Sequence, residues 1–290
     1  MYEDIKRNKI KSNIVVFGFG LMVTLIIYFI CNYFELGVFS IIFALLFSII
    51  STFISYYNCD KIILSLSHAR PATHEEDKKL VNILDALMIA SGLSHKPRLY
   101  VIEDSQPNAF ATGRNPENSI ICVTTGLLDK LNYRELEGVI AHEMAHIQNY
   151  DIRLSAIITV MIGLVVILSD VFTRSMFRKR KDSKGSGILI LVGLLLLVLS
   201  PIFGKLMQLA ISRRREYLAD ATAVKFTRNP DGLINALKKL DSDRDELEVA
   251  NSSTAHMYIV CPLKNKEKTS SLFSTHPSIE DRVKAITELQ

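Results

Sequence analysis

Residues 132–151 read NYRELEGVIAHEMAHIQNYD, and the fold is decided there. Asn132 is placed to cap a helix, Glu135 three residues on completes a capping box, and Leu131 and Leu136 hold the hydrophobic-staple positions. The pattern predicts a helix over 132–150 that runs almost unbroken into the apolar stretch beyond Arg153. His142-Glu143-Met144-Ala145-His146 falls in its middle, so the two imidazoles lie one above the other on one face. Imidazoles so spaced can converge on one ion at about 2.0–2.1 Å. Glu143, about 100° round the helix, is too far to share that ion easily and is well placed to take a proton from a water beside it. With 7 histidines among 290 residues, the pattern arises in about one shuffled sequence in a hundred. The competing reading is two histidines satisfied by carbonyls or a carboxylate. Gly138 and Ala141 are small enough to let another backbone approach this helix.

Outward from this helix, the apolar residues are clustered rather than spread. Ser12 to Phe34 and Leu36 to Cys59 are uncharged, with only Glu35 between them. Each exceeds the ~20 residues that cross a ~30 Å hydrocarbon core as helix. A cleaved signal sequence is the weaker reading of the first, because the run is too long and a second follows at once. Lys6, Arg7, Lys9 and Lys11 precede the first run, and no Lys or Arg separates the two. The positive-inside bias then predicts a hairpin with a cytoplasmic N-terminus and an exported turn at Glu35. Leu154–Ser169 and Gly185–Gly204 are further apolar runs, and Arg174, Arg178, Lys179, Arg180, Lys181 and Lys184 lie between them. Either the pair crosses against the positive-inside bias, the reading favoured here, or it forms a shallow hairpin that never exposes those cations.

Lys and Arg total 34 and Asp and Glu 30, a net charge of +4 with no long basic stripe, so nucleic acid is not an expected partner. Cys31, Cys59, Cys122 and Cys261 form no C-x-x-C pair, which removes zinc ribbons and thiol redox motifs and leaves buried reduced cysteines. In the polar part, His74–Gly92 reads as a helix, and Arg98–Glu103 and Ser119–Thr124 as an antiparallel strand pair joined through Gln106–Pro116. Helices are also expected over Arg213–Phe226, from Asn229-Pro230 and from Pro277, with Asp241–Glu248 and Lys264–Ser271 as solvated connections.

A catalytic ion held by three protein ligands keeps an open fourth position. The third ligand has several candidates: His68, His74, His95, His256, His276, or a carboxylate on a second helix. Within Arg213–Asp220 the best match is Glu216 with Asp220, at i and i+4 on one face. Glu216 can ligate while Asp220 accepts an N–H from a ligating imidazole and so fixes its tautomer. The competing reading is an exposed face of Arg–Glu pairs.

The H-E-x-x-H helix, the later E-x-x-x-D helix, two spans before the first and an apolar pair between them resemble the HtpX-type membrane metalloproteases of the M48 peptidase class. The resemblance covers almost the whole chain, including Pro107-Asn108-Ala109-Phe110-Ala111-Thr112-Gly113, Gly126-Leu127-Leu128 and Ser274-Thr275-His276-Pro277. It implies a mainly α fold with a small antiparallel sheet, zincin-like, attached to transmembrane helices. It implies one zinc ion on His142, His146 and Glu216 with Glu143 catalytic, and an endopeptidase for damaged membrane proteins with its site on the cytoplasmic side of a multi-pass membrane protein. His276 and Arg282 are candidates for oxyanion or substrate contact by family position. Asn108 and Ala109 are candidates for pairing backbone with an extended substrate. The expected divisions are a membrane hairpin over 1–60, protease segments over 61–153 and 211–290, and a second apolar hairpin over 154–210. The rivals are an intramembrane zinc protease, opposed by the polar flanks Tyr133-Arg134-Glu135 and Gln148-Asn149-Tyr150-Asp151, a zinc-stabilised membrane scaffold, and a prenyl-protein processing protease.

Overall fold

The computed structural model describes residues 2–33, 37, 39–163, 212–243, 245, 247, 253–260, 262 and 277–289. Helices α1 (Tyr2–Tyr33) and α2 (Phe39–Tyr57) form the expected hairpin. Both are long and apolar enough to cross a membrane, over Ile5–Tyr28 and Phe39–Tyr57. Their outward faces carry Phe17, Phe39, Phe43, Ile49 and Phe53, all exposed, as suits a lipid solvent. Their facing sides are small and polar: Thr24 Oγ1 donates to Ser48 Oγ at 2.6 Å, and Gly20 lies against Thr52. Small residues at such a seam allow close approach where no hydrophobic drive exists between helices.

After α3 (Cys59–Leu66) come β1 (Arg70–Pro71), α4 (His74–Ser91), β2 (Arg98–Ile102), β3 (Ala109–Gly113), β4 (Ser119–Thr124) and α5 (Thr125–Lys130). The sheet order is β1-β2-β4-β3. The two expected strands do pair, but in parallel, with Arg98 opposite Ile120 and Ile102 opposite Thr124. The physical reason is the stretch read as a connection: Ala109–Gly113 is itself a strand, antiparallel to β4, so the chain reverses twice, into β3 and out of it, and β4 enters parallel to β2. The small sheet is therefore mixed.

α6 (Tyr133–Gln148) has the expected capping box, with Asn132 Oδ1 accepting from Glu135 N and Glu135 accepting from Asn132 N. It does not run on unbroken. Asn149 caps it, Tyr150 turns left-handed at φ 60°, and helix resumes over residues 151–163, here α7. α8 (Arg213–Thr227), α9 (Pro230–Ser242) and α10 (Ile279–Thr287) follow. Pro277 lies just ahead of α10, whose cap is Ser278, accepting from Asp281 N. The second apolar pair beyond residue 163, His276, and Lys264–Ser271 lie outside the described residues.

The sheet is covered on both faces. On one side, Leu80, Ile83, Leu84 and Leu87 of α4 meet Val101, Ile121 and Val123, the buried stripe of α6 and Leu233, Leu237 and Leu240 of α9. On the other, Phe110, Ile120 and Cys122 pack with Ile63 and Tyr258. Gly138 permits the crossing of α6 and α9: a Cβ there would stand 2.8 Å from Leu233 N. These contacts fix α6 between the sheet and α8, and so fix what its middle turn presents.

Candidate metal centre

The middle of α6 faces the first turn of α8. His142 and His146 bring their Nε2 atoms to 3.2 Å from each other. Glu216 Oε2 lies 3.7 Å from His142 Nε2, and Glu216 Oε1 lies 3.7 Å from His146 Nε2. The three residues offer donor atoms all within 4.8 Å of one another, a set able to hold one metal ion. Donors bound at about 2.0–2.1 Å to one tetrahedral ion stand about 3.4 Å apart, and the observed separations bracket that value.

The tautomers follow from the outer partners. His142 Nδ1 sits 2.9 Å from Asp220 Oδ1, and His146 Nδ1 sits 3.0 Å from Asp151 Oδ2. Each Nδ1 therefore carries the proton its carboxylate accepts, and both Nε2 atoms turn into one small space. Two such nitrogens and a carboxylate so crowded call for a cation between them, a metal ion or, in its absence, the extra proton that His146 holds. Asp220 is held in turn by Arg282, whose Nε and Nη2 donate to it at 2.9 and 2.7 Å and whose Nη1 donates to Ile259 O at 3.0 Å.

Charge and burial tune the groups. Burial pushes the Glu143 carboxyl up to about 7, the charge of Glu216 adds to that, and His146 and a hydrogen bond from the Ala111 backbone pull against it. Burial pulls His146 down, but the hydrogen bond to Asp151 and the charges of Glu216, Asp151 and Glu143 outweigh it and carry the imidazole up to about 9. Burial also dominates at His142, which falls below its ordinary range. For Asp220 burial is overcome by Arg282, and the carboxyl stays low. His142, Glu143, His146 and Glu216 line a cleft open to solvent together with Ala111, Ser155, Arg215 and residues 256–259, and Asp220 lies behind it.

Among the expected residues, His142, Glu143, His146, Glu216 and Asp220 come together. Arg282 is near them but does not face an open site: it is fully buried, with its donors committed to Asp220 and Ile259. Asn108 and Ala109 are also taken up by the chain itself. The Asn108 backbone pairs with Thr124, its side chain donates to Val260 O at 2.9 Å, and Ala109 O accepts from Ile259 N at 2.9 Å. With Asn108, Phe110 and Thr112 turned toward β4, the residue of β3 that faces Glu143 is Ala111. Sequence reasoning missed Ala111, because β3 was read as a connection. It also missed Asp151, whose one signal was a carboxylate five residues after His146, just past the helix end.

The model of peptidase family M48 matches residues 74–290. Over 287 residues the chain is 46% identical to a protease HtpX homolog of Dictyoglomus thermophilum, covering 98% of this chain and 93% of that one. It is 41% identical over 296 residues to a protease HtpX homolog of Thermoanaerobacter pseudethanolicus, covering 100% and 98%. A further protease HtpX homolog, from Listeria monocytogenes, is 36% identical over 308 residues, covering 100% of both chains. Among solved structures, the crystal structure of S. mikatae Ste24p superposes with a TM-score of 0.51 at 21% identity, covering 99% of this chain and 67% of that one. With that match to the family and those relatives along the whole length, the chain belongs to peptidase family M48 and is a membrane metalloprotease.

Proposed function

We propose that the chain is a zinc endopeptidase whose site faces the cytoplasm, with His142, His146 and Glu216 as ligands and Glu143 as the general base. The reading is carried by the two Nε2 atoms 3.2 Å apart, each with its Nδ1 proton committed to a carboxylate. Two imidazoles and a carboxylate are a nitrogen and oxygen set that suits zinc. Bound there, zinc supplies Lewis acidity and lowers the pKa of water toward ~7. Glu143 takes the proton of the attacking water and delivers it to the leaving amide nitrogen. Burial in the site favours the protonated form of its carboxyl, which suits a group that must hold the proton between the two transfers. Asp220 and Asp151 keep the two imidazoles turned inward, and Arg282 keeps Asp220 ionised. Ala111, on the outer edge of β3, lines the cavity beside Glu143; its N–H is given to Glu143, and its carbonyl is the backbone group at which an extended substrate pairs.

The cytoplasmic orientation rests on Lys6, Arg7, Lys9 and Lys11 ahead of the first span. The substrates are proteins, membrane proteins damaged or misfolded among them, because α1 and α2 hold the cleft at the bilayer. A zinc-stabilised scaffold would fill all four positions with protein ligands, whereas Glu143 stands beside this cluster at an open cavity. Detergent-purified protein is expected to cleave a loosely folded substrate, to stop with a chelator and to resume with zinc. Glu143→Gln should keep its metal and lose about 10²–10⁴-fold in rate, whereas Glu216→Ala should lose the metal by elemental analysis. A Glu143→Gln chain that cleaves near the wild-type rate, or a Glu216→Ala chain with a full metal complement, would overturn the assignment.

A further inference from the structure

We propose that Asn8, on the first membrane helix, is a positioning residue for the metal centre: it holds Asp151, which in turn orients His146. The inference rests on the reading of His146 as a ligand and extends it to a part of the chain that otherwise serves as an anchor.

Asn8 is buried, although it lies among the charged residues that open α1. Its single amide group serves two acceptors, donating to Asp151 Oδ1 at 2.7 Å and to Asn149 O at 3.0 Å. The other oxygen of the same carboxylate, Asp151 Oδ2, is the one 3.0 Å from His146 Nδ1. A continuous path therefore runs from the first membrane helix to an imidazole of the donor cluster. Arg215 Nη1 also lies 3.8 Å from Asp151 Oδ1, a charge contact beyond hydrogen-bond length, whereas Asn8 donates a hydrogen bond to that oxygen. Asp151 is the first residue after the left-handed break at Tyr150, so helix geometry upstream does not set its rotamer. By holding Oδ1, Asn8 decides which oxygen is presented to the imidazole. It also pins Asn149, the cap of α6 itself.

The rest of α1 keeps Asn8 in place. Lys9 Nζ lies 4.0 Å above the ring of Tyr150, and Arg153 donates to Asn13 Oδ1 at 2.8 Å. Val15, Phe19 and Val23 pack on Leu154, Ile158 and Met161 of α7. Each of these contacts docks the helix, but only Asn8 touches the Asp151 carboxylate among the α1 residues named. This difference separates positioning from mere docking.

The test uses the full-length chain in detergent, in a Glu143→Gln background that prevents self-cleavage. Zinc affinity is read by competition with a chromophoric chelator, and the ligand field by the visible absorption of the Co²⁺-loaded protein. Changes in groups that orient metal ligands typically cost 10–100-fold in metal affinity, and Asn8 acts one bond further out. Asn8→Ala is expected to weaken zinc binding about tenfold and to shift the Co²⁺ bands. Asn8→Asp, of the same size but with an acceptor set against Asp151, should be at least as weak. Asn13→Ala, which loosens the same helix, should stay near wild type, and Asn8→Ala should add nothing to Asp151→Asn. The proposal falls if Asn8→Ala binds zinc like wild type with unshifted bands, if Asn13→Ala is equally impaired, or if the Asn8 and Asp151 losses simply multiply. If the parent chain binds no metal, the ligand assignment itself fails; normal binding by the parent and by Asn8→Ala alike removes only the role of Asn8.

Discussion

At the scale of single residues, the chemistry is set by which atom carries each proton. His146, carried up to about 9 by Asp151 and Glu216 in spite of its burial, holds an extra proton at neutral pH when no metal is present. A metal must displace that proton, so apparent metal affinity should fall by up to tenfold for each pH unit below about 9. Competition titrations across pH 6–9 check this, and a flat profile would contradict it. The sign for folding is the opposite: a raised histidine stabilises the metal-free fold fully below its ordinary value of 6.5, and that contribution fades as pH rises through about 9. The histidines, Glu143 and the Glu216–Asp220 pair were legible in the sequence because helical spacing fixes which side chains share a face. Asp151 was not, because its approach to His146 depends on Tyr150 leaving the helix, and one residue adopting a left-handed backbone leaves no periodic trace. Arg282 was named only through the family resemblance, and as an oxyanion or substrate contact; its hold on Asp220 depends on contacts across more than sixty residues.

Among the elements, close approach and capping are the features open to test. Gly138 lets α9 lie against α6, and a Cβ would meet the backbone of Leu233 at 2.8–2.9 Å. Gly138→Ala should therefore destabilise by about 1–3 kcal/mol, as overpacking does, in spite of the better helix propensity of alanine. Denaturant unfolding of the solubilised chain measures it. α4 begins with a second capping box, Thr73 with Glu76, and Arg70 reaches Glu76 Oε1 at 2.8 Å. The hydrogen bond from Arg70 holds the Glu76 carboxyl down to about 2, against a weaker push from desolvation. Because this carboxyl titrates lower in the fold than its ordinary 4.5, its contribution is present above 4.5 and disappears as pH falls through about 2. The stability gap between wild type and Glu76→Gln should shrink over that window. The longer helices were legible from caps and stripes, and Asn132 and Asn229 cap as their residue types allow, whereas the short α3 and α5 were not read as helices. The sheet was less so. Ala109–Gly113 lacks the large β-branched side chains that mark a strand, and without it the direction of β2 against β4 reads backwards.

For the molecule as a whole, the apolar hairpin and the site are one structure, since α1 packs along α7 and α7 continues from the helix that carries both histidines. Orientation can be measured directly. A cysteine at Glu35 should react with an impermeant reagent in intact cells, and one at Ser94 only after permeabilisation, if the four early cations stay inside. The reverse pattern would invert the topology. The order in which the cluster is made has a further consequence. Its two imidazoles lie near the middle of the chain, whereas Glu216 and the Arg282 that steadies Asp220 come from the last quarter or so. On the proposed ligand set, a chain cut short of Glu216 has only an unfinished cradle for the ion, so cleavage waits until most of the polypeptide, its apolar hairpin included, has been made.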